Sequence, residues 1–190
     1  QNYSRLAGWN SRSVLADQKD DNNKFNYILT GPKNSETAII TNYLGTSTTL
    51  FVDSELEIGG LFYRVSAISS YAGNTKITKV EFAETSYLTT LSDYAFANCT
   101  SLREIRLPNS VTNIGKNAFY GCTRLTDVTL PSGINRVEER TFFGCTSLKE
   151  ITLPSNVLTL GEAAFGMCSN LNRIIVEMEG TTIATLGSGA

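Results

Sequence analysis

Residues 88–176 read LTTLSDYAFANCTSLREIRLPNS, VTNIGKNAFYGCTRLTDVTLPSG, INRVEERTFFGCTSLKEITLPSN and VLTLGEAAFGMCSNLNRIIV when the chain is cut every 23 residues. Apolar side chains recur in one phase through all four copies. Leu88, Val111, Ile134 and Val157 open the units, and Leu91, Ile114, Val137 and Leu160 follow three positions later. Next come Ala95-Phe96, Ala118-Phe119, Thr141-Phe142 and Ala164-Phe165, then Cys99, Cys122, Cys145 and Cys168. Leu102, Leu125, Leu148 and Leu171 each begin a strand-like stretch whose later apolar positions are Ile105 and Leu107, Val128 and Leu130, Ile151 and Leu153, and Ile174 and Val176. Pro108, Pro131 and Pro154 close the first three stretches. A fixed period in this range marks a stacked repeat array.

One such unit buries too few side chains to offset the entropy of ordering its own backbone, so it folds only against neighbours. Stacking pairs the strands in a parallel sheet and turns each apolar position into an internal ladder. Working outward, Val65, Ile68 and Ala72 keep the phase in a degraded earlier copy, and Ile77, Val80 and Phe82 supply its strand after a small length change. The solenoid is therefore expected over residues 61–190, with its last repeat truncated. Ile183, Leu186 and Ala190 restart the pattern at the C-terminus, which predicts further repeats beyond residue 190, the alternative being a degenerate cap that frays. FNYILT (25–30), TAIITNY (37–43) and TLFVDSELEI (49–58), separated by turn signals, predict a β-rich N-terminal cap over residues 25–60. Residues 1–24, with the run DQKDDNNK, are expected to form an exposed extension.

With 16 basic and 18 acidic residues the net charge is −2, so no global field points to nucleic acid or to anionic lipid. No run approaches the roughly 20 apolar residues of a membrane-spanning helix, so no membrane insertion by this segment is expected. Residues 1–25 lack the apolar core of a signal peptide, and Gln1 is not an initiator Met.

The chain contains no His, which removes Ser-His-Asp and Cys-His nucleophile systems and the commonest general base. The acidic pairs Glu138-Glu139 and Glu177 with Glu179 read as surface charge, and no catalytic residue is assigned. The four cysteines sit one per coil. Successive coils of a parallel stack are about 4.8 Å apart, so the first and last thiols lie on the order of 14 Å from each other. Tetrahedral zinc needs its sulfurs within about 4 Å of one another, so a site using all four is excluded. Parallel side chains in a ladder do not supply a disulfide dihedral, and the core phase of all four positions predicts free buried thiols. No metal and no cofactor are expected.

Function is then expected on the strand residues that alternation turns away from the core. One row reads Glu104, Asp127, Glu150 and Arg173. A second reads Arg106, Thr129, Thr152 and Ile175, and a third Arg103, Thr126, Lys149 and Asn172. This mixed polar ribbon suits hydrogen-bonded recognition of a protein or glycan. The candidate ligand-binding residues are Arg103, Glu104, Arg106, Asp127, Thr129, Lys149, Glu150, Thr152 and Arg173. Tyr120, on a turn, is the one aromatic candidate near them, so a stacking platform for sugars or single-stranded nucleic acid is not expected.

The pattern L-x-x-I-x-L-P followed by V-x-x-I-G-x-x-A-F-x-x-C resembles the BspA-like leucine-rich repeats of bacterial cell-surface and secreted proteins. The match is close over residues 88–176 and looser over 61–87, and TAIITNYLGTSTTLFVDSELEIGGLFYRVSAI resembles the lead-in found before such repeats. Departures are Thr141 for Ala, Val137-Glu138 for Ile-Gly, and Glu177 where Pro would close the last strand. The resemblance implies a leucine-rich-repeat solenoid, a curved right-handed superhelix with the L-x-x-I-x-L strands on its concave face. It also implies extracellular or cell-surface placement and an adhesion role, with a host or bacterial surface protein, or a glycan, as partner. It transfers no ligand. A structural spacer or stalk within a larger surface protein is the other function class the sequence admits.

Overall fold

The computed structural model describes residues 18–19, 22, 24–32, 34–69, 71–178 and 181–182. The expected extension over 1–24 lies mostly outside these residues, and the restart at Ile183, Leu186 and Ala190 lies wholly outside them. Among the described residues there are strands and turns but no helix.

Each coil contributes two strands, and strands of successive coils pair in parallel. In the first stack Leu61–Ile68, Thr90–Leu91 and Asn113–Ile114 lie side by side, with Ile68 opposite Leu91 and Leu91 opposite Ile114. Arg136–Val137 and Thr159–Leu160 form a further parallel pair at the same phase. In the second stack Thr49–Val52, Lys79–Phe82, Glu104–Arg106 and Asp127–Thr129 run in order. Glu150–Leu153 and Arg173–Met178 form the next pair of that phase. The architecture is a parallel-strand solenoid, as the 23-residue period requires.

The lead-in strands join these same stacks. Phe25–Thr30 and Thr37–Tyr43 form an antiparallel hairpin, and Thr37–Tyr43 then pairs in parallel with Leu61–Ile68. Thr49–Val52 pairs in parallel with Lys79–Phe82, placing Leu50 against Val80 in the core and Phe51 against Glu81 outside. Glu55–Ile58 folds back on Leu61–Ile68 across the Gly59-Gly60 turn. Alternation explains the match: in TLFV, Leu50 and Val52 are buried while Phe51 is exposed, as in the strands of the later coils.

The interior consists of the expected ladders. Phe96, Phe119 and Phe142 are fully buried, and their rings stack on one another with centroids 5.6 and 5.3 Å apart. Phe165 continues the column at 5.5 Å. The degraded copy enters this column differently from its expected phase. Tyr71, not a residue in phase with Ala72, stacks on Phe96 at 5.4 Å, and Ala72 is exposed. The backbone N–H of Tyr71 donates to the Ala95 carbonyl just as that of Phe96 donates to Ala118. That coil is two residues shorter between its first strand and its ring position, which shifts the phase and fills the ring site with Tyr. The Tyr71 hydroxyl, buried without a hydrogen-bond partner, is the cost of that substitution.

The Ala-Phe turns are held by a second hydrogen-bond ladder. The N–H groups of Tyr94, Phe96 and Asn98 donate to the carbonyls of Lys116, Ala118 and Tyr120 in the following coil. Asn117, Phe119 and Gly121, and then Arg140, Phe142 and Gly144, repeat the arrangement. Two left-handed residues per coil make this possible, at Tyr94, Asn117, Arg140 and Ala163 and at Asn98, Gly121, Gly144 and Met167. Flipping the backbone at both positions aims every second N–H along the stacking direction.

Candidate functional site

The cysteines belong to the scaffold. All four are free and buried. The thiols of Cys122, Cys145 and Cys168 donate to the carbonyls of Phe96, Phe119 and Phe142, at 3.1, 3.2 and 3.0 Å, and Cys99 donates to Tyr71 at 3.2 Å. The carbonyls of Tyr71, Phe96, Phe119 and Phe142 therefore accept twice, from a backbone N–H of their own coil and from the thiol of the next. Burial pushes the Cys99 thiol up to about 12 and raises the other three as well. Such thiols stay protonated and act as small apolar donors, not as nucleophiles or ligands. Among the described residues no group of three or more potential metal ligands converges.

The ribbon lies on the outer face of the second stack. Strand register sets Lys79, Glu104 and Asp127 in one row, and Glu150 opposite Arg173 in its continuation. Arg106 stands opposite Thr129, and Thr152 opposite Ile175. Of the nine candidate residues, Arg103, Arg106, Asp127, Thr129, Lys149, Glu150 and Arg173 are exposed, while Glu104 and Thr152 are half-buried. Ion pairs link neighbours both along single strands and across the coils. Lys79 contacts Glu81 at 2.8 Å and Glu104 at 3.6 Å, Arg106 contacts Glu104 at 3.1 Å, and Arg173 pairs with Glu150. The Glu81 and Glu104 carboxylates raise the Lys79 ammonium above its ordinary value. Among the described residues the Asp127 carboxylate accepts from the Thr126 hydroxyl alone, at 2.7 Å. Pairs this exposed add little to stability, so their main effect is to set a charge pattern on the sheet.

One end of this face is hollowed into an open concavity of about 600 Å3. Phe51, Val80, Phe82, Ala83 and Pro108 give it an apolar lining, and Lys79, Glu81, Glu84, Glu104 and Arg106 complete it. Of these ten residues the sequence reading found Glu104 and Arg106. It missed Phe51 because TLFV was assigned to a cap, whereas its in-out alternation matches KVEF and EIRL, which is the signal that could have placed it on the ribbon. Phe51 is thus an exposed aromatic on this face, beside the half-buried Phe82. Tyr120 instead stacks on Phe143 at the Ala-Phe turns, with centroids 5.3 Å apart. Lys24 lies 5.5 Å from the Phe51 ring centroid and pairs with Asp53 at 2.8 Å, which steadies the ring from one side.

The stacked strands and ring column lie within a stretch, residues 66–186, that matches the BspA type leucine rich repeat region in six copies. The chain belongs to the BspA-type leucine-rich-repeat family. Solved structures agree. The T. pallidum leucine-rich-repeat protein TpLRR is 27% identical, with a TM-score of 0.71 over 83% of this chain and 71% of that one. The pneumococcal vaccine antigen PcpA shares the fold at 20% identity and a TM-score of 0.66, over 91% of this chain and 53% of its own. A leucine-rich cell surface protein of Faecalibacterium prausnitzii does so at 22% identity and 0.52, over 87% and 56%. The chain thus spans about half the length of the last two. Comparison with curated proteins gave no match. BspA-type repeats are in general non-enzymatic and form interaction surfaces, so this chain is a repeat protein of the interaction class.

Proposed function

We propose that this BspA-type domain is a binding module of a secreted or cell-surface protein, and that it recognises a protein or glycan ligand, from a host or a bacterium, through the strand ribbon. The observation that carries the reading is the in-register display of charged and polar side chains on a rigid parallel sheet, from Lys79, Glu104 and Asp127 to Glu150 and Arg173. A backbone fixed by strand pairing loses little further freedom on binding, which favours recognition over an equally polar loop surface. An extracellular setting draws support from the F. prausnitzii neighbour, which is described as a cell surface protein.

The test is binding of the whole chain to a panel of extracellular-matrix proteins, bacterial surface proteins and glycans, beside a variant carrying Glu104→Lys, Asp127→Lys and Glu150→Lys. Because Asp127 and Glu150 are exposed and the ion pairs of Glu104 and Glu150 are solvent-accessible, the variant should keep its melting temperature within a few degrees. A saturable interaction weakened at least about tenfold (~1.4 kcal/mol) is the expected result. Binding that survives the reversal would move the site off the ribbon, and silence across the panel would favour the spacer.

A further inference from the structure

The concavity at one end of the ribbon has a chemistry of its own. Its charged residues are three carboxylates, Glu81, Glu84 and Glu104, against two cations, Lys79 and Arg106, a net charge of −1. Both cations are already committed, Lys79 to Glu81 and Glu104, and Arg106 to Glu104. Among the described residues no cation pairs with Glu84, which is exposed at the rim. Asp127, next to Glu104 across the strands, has no cationic partner among them either. Below the carboxylates the lining is apolar and aromatic, with Phe51 40% exposed and Phe82 half-buried.

We infer that this concavity receives an arginine side chain presented by a protein partner, with the guanidinium facing Glu84 and the aliphatic stem lying against Phe51 and Pro108. The inference rests on the binding-module reading and names what one end of the ribbon selects. Three alternatives fit less well. An acidic side chain would meet a net negative rim. A purely apolar one would desolvate Glu84 without a counter-charge. A lysine would satisfy the charge but offers a point charge where the guanidinium offers a plane that stacks on an aromatic ring and a fork that matches a carboxylate. Lys24 does not oppose the incoming charge, because Asp53 neutralises it.

The probe is a capped heptapeptide, acetyl-Gly-Ser-Gly-Arg-Gly-Ser-Gly-amide, titrated into the 15N-labelled whole chain and followed by amide chemical shifts. Its citrulline counterpart keeps the shape and removes the charge. The arginine peptide should shift the amides of Phe51 and of residues 81–84 with saturation in the range of about 1 mM, and the citrulline peptide should bind at least about tenfold more weakly. Glu84→Gln and Phe51→Ala, both at exposed side chains, should each weaken binding at least about fivefold without changing the far-ultraviolet spectrum. Equal shifts from the two peptides, shifts centred on other acidic surface such as Glu138 and Glu139, or none at ~20 mM peptide would each overturn the assignment. These outcomes leave the ribbon reading standing, since the panel and the triple reversal decide that separately; a silent panel with a positive peptide titration would confine recognition to this concavity.

Discussion

Replacing Phe119 by Ala removes a ring that is 0% exposed and stacked on both sides, on Phe96 at 5.6 Å and on Phe142 at 5.3 Å. Truncating a buried Phe to Ala costs about 3–5 kcal/mol, the larger values where the surroundings cannot collapse into the space. Here they cannot. The rings above and below are fixed by their own coils, whose turns are tied by the N–H groups of Phe96 and Phe119 to Ala118 and Thr141. Ring pairs add roughly 0.5–1.5 kcal/mol each beyond burial, and two are lost, so Phe119→Ala belongs near 5 kcal/mol. Phe165 is only half-buried and has one described ring neighbour, Phe142, so Phe165→Ala should cost about half as much. Phe119→Leu keeps most of the volume and loses the stacking, for about 1–2 kcal/mol. Urea unfolding at 25 °C by far-ultraviolet circular dichroism, with amide hydrogen exchange to detect fraying of single coils, reads all three. An end-of-column variant as costly as the mid-column one, or a Phe119→Ala cost below about 2 kcal/mol, would refute the claim that the ring column couples the coils.

The thiols make a second prediction. Iodoacetamide at pH 8 should leave Cys122 and Cys145 unmodified in the native protein and modify all four cysteines in denaturant, since burial holds these thiols protonated. The same burial gives stability an alkaline limb. The unfolded thiols ionise near their ordinary 9.0, whereas the folded Cys99 holds its proton to about 12, so its contribution is complete below pH 9 and is lost as pH rises towards 12. Denaturant midpoints measured from pH 8 to 11 should fall, and Cys99→Ala should flatten that fall; a level profile in the wild type would contradict the burial. Third, Met167 holds a left-handed conformation with φ 58° and a side chain 70% exposed, at the register position where Gly121 and Gly144 stand. Met167→Gly should stabilise by about 0.5–1 kcal/mol, because the strain relieved exceeds the added backbone entropy, and a lower melting temperature would count against that account.

The fold was legible because every coil repeats the same demand. Leu102, Ile105 and Leu107 announce a strand with one buried face, and the 23-residue return of that pattern forces parallel stacking whatever each unit prefers alone. Two features were not legible, for different reasons. The left-handed positions fall on Tyr94, Arg140, Ala163 and Met167 as well as on Asn and Gly, so no residue preference marks them; the stacking hydrogen bonds impose the conformation. The phase shift at Tyr71 was hidden because Ala72 imitates the Ala of later repeats, and only the ring column reveals that Tyr71 takes the Phe position. On the ribbon, period-two alternation predicted the outward rows. The alternation of TLFV marks Phe51 as an outward residue of a ribbon strand, but the hollow also needs that strand to pair with Lys79–Phe82, 30 residues on, and alternation alone does not name the partner.

The turn ladder has a direction. Along the Ala-Phe edge, among the described residues, the inter-coil N–H groups point towards the later coil and the accepting carbonyls towards the earlier one, with three bonds at each step from Tyr94 onward and two, from Tyr71 and Gly73, at the step before. The peptide dipoles along that edge therefore add as vectors, with the positive end on the C-terminal side, the reverse of an α-helix, where N–H groups face the N-terminus. An edge with such a vector can be prolonged in one orientation only. A coil laid on it upside down would set donor against donor or carbonyl against carbonyl, so repeats of this kind can be added, deleted or exchanged as whole units head-to-tail but never head-to-head.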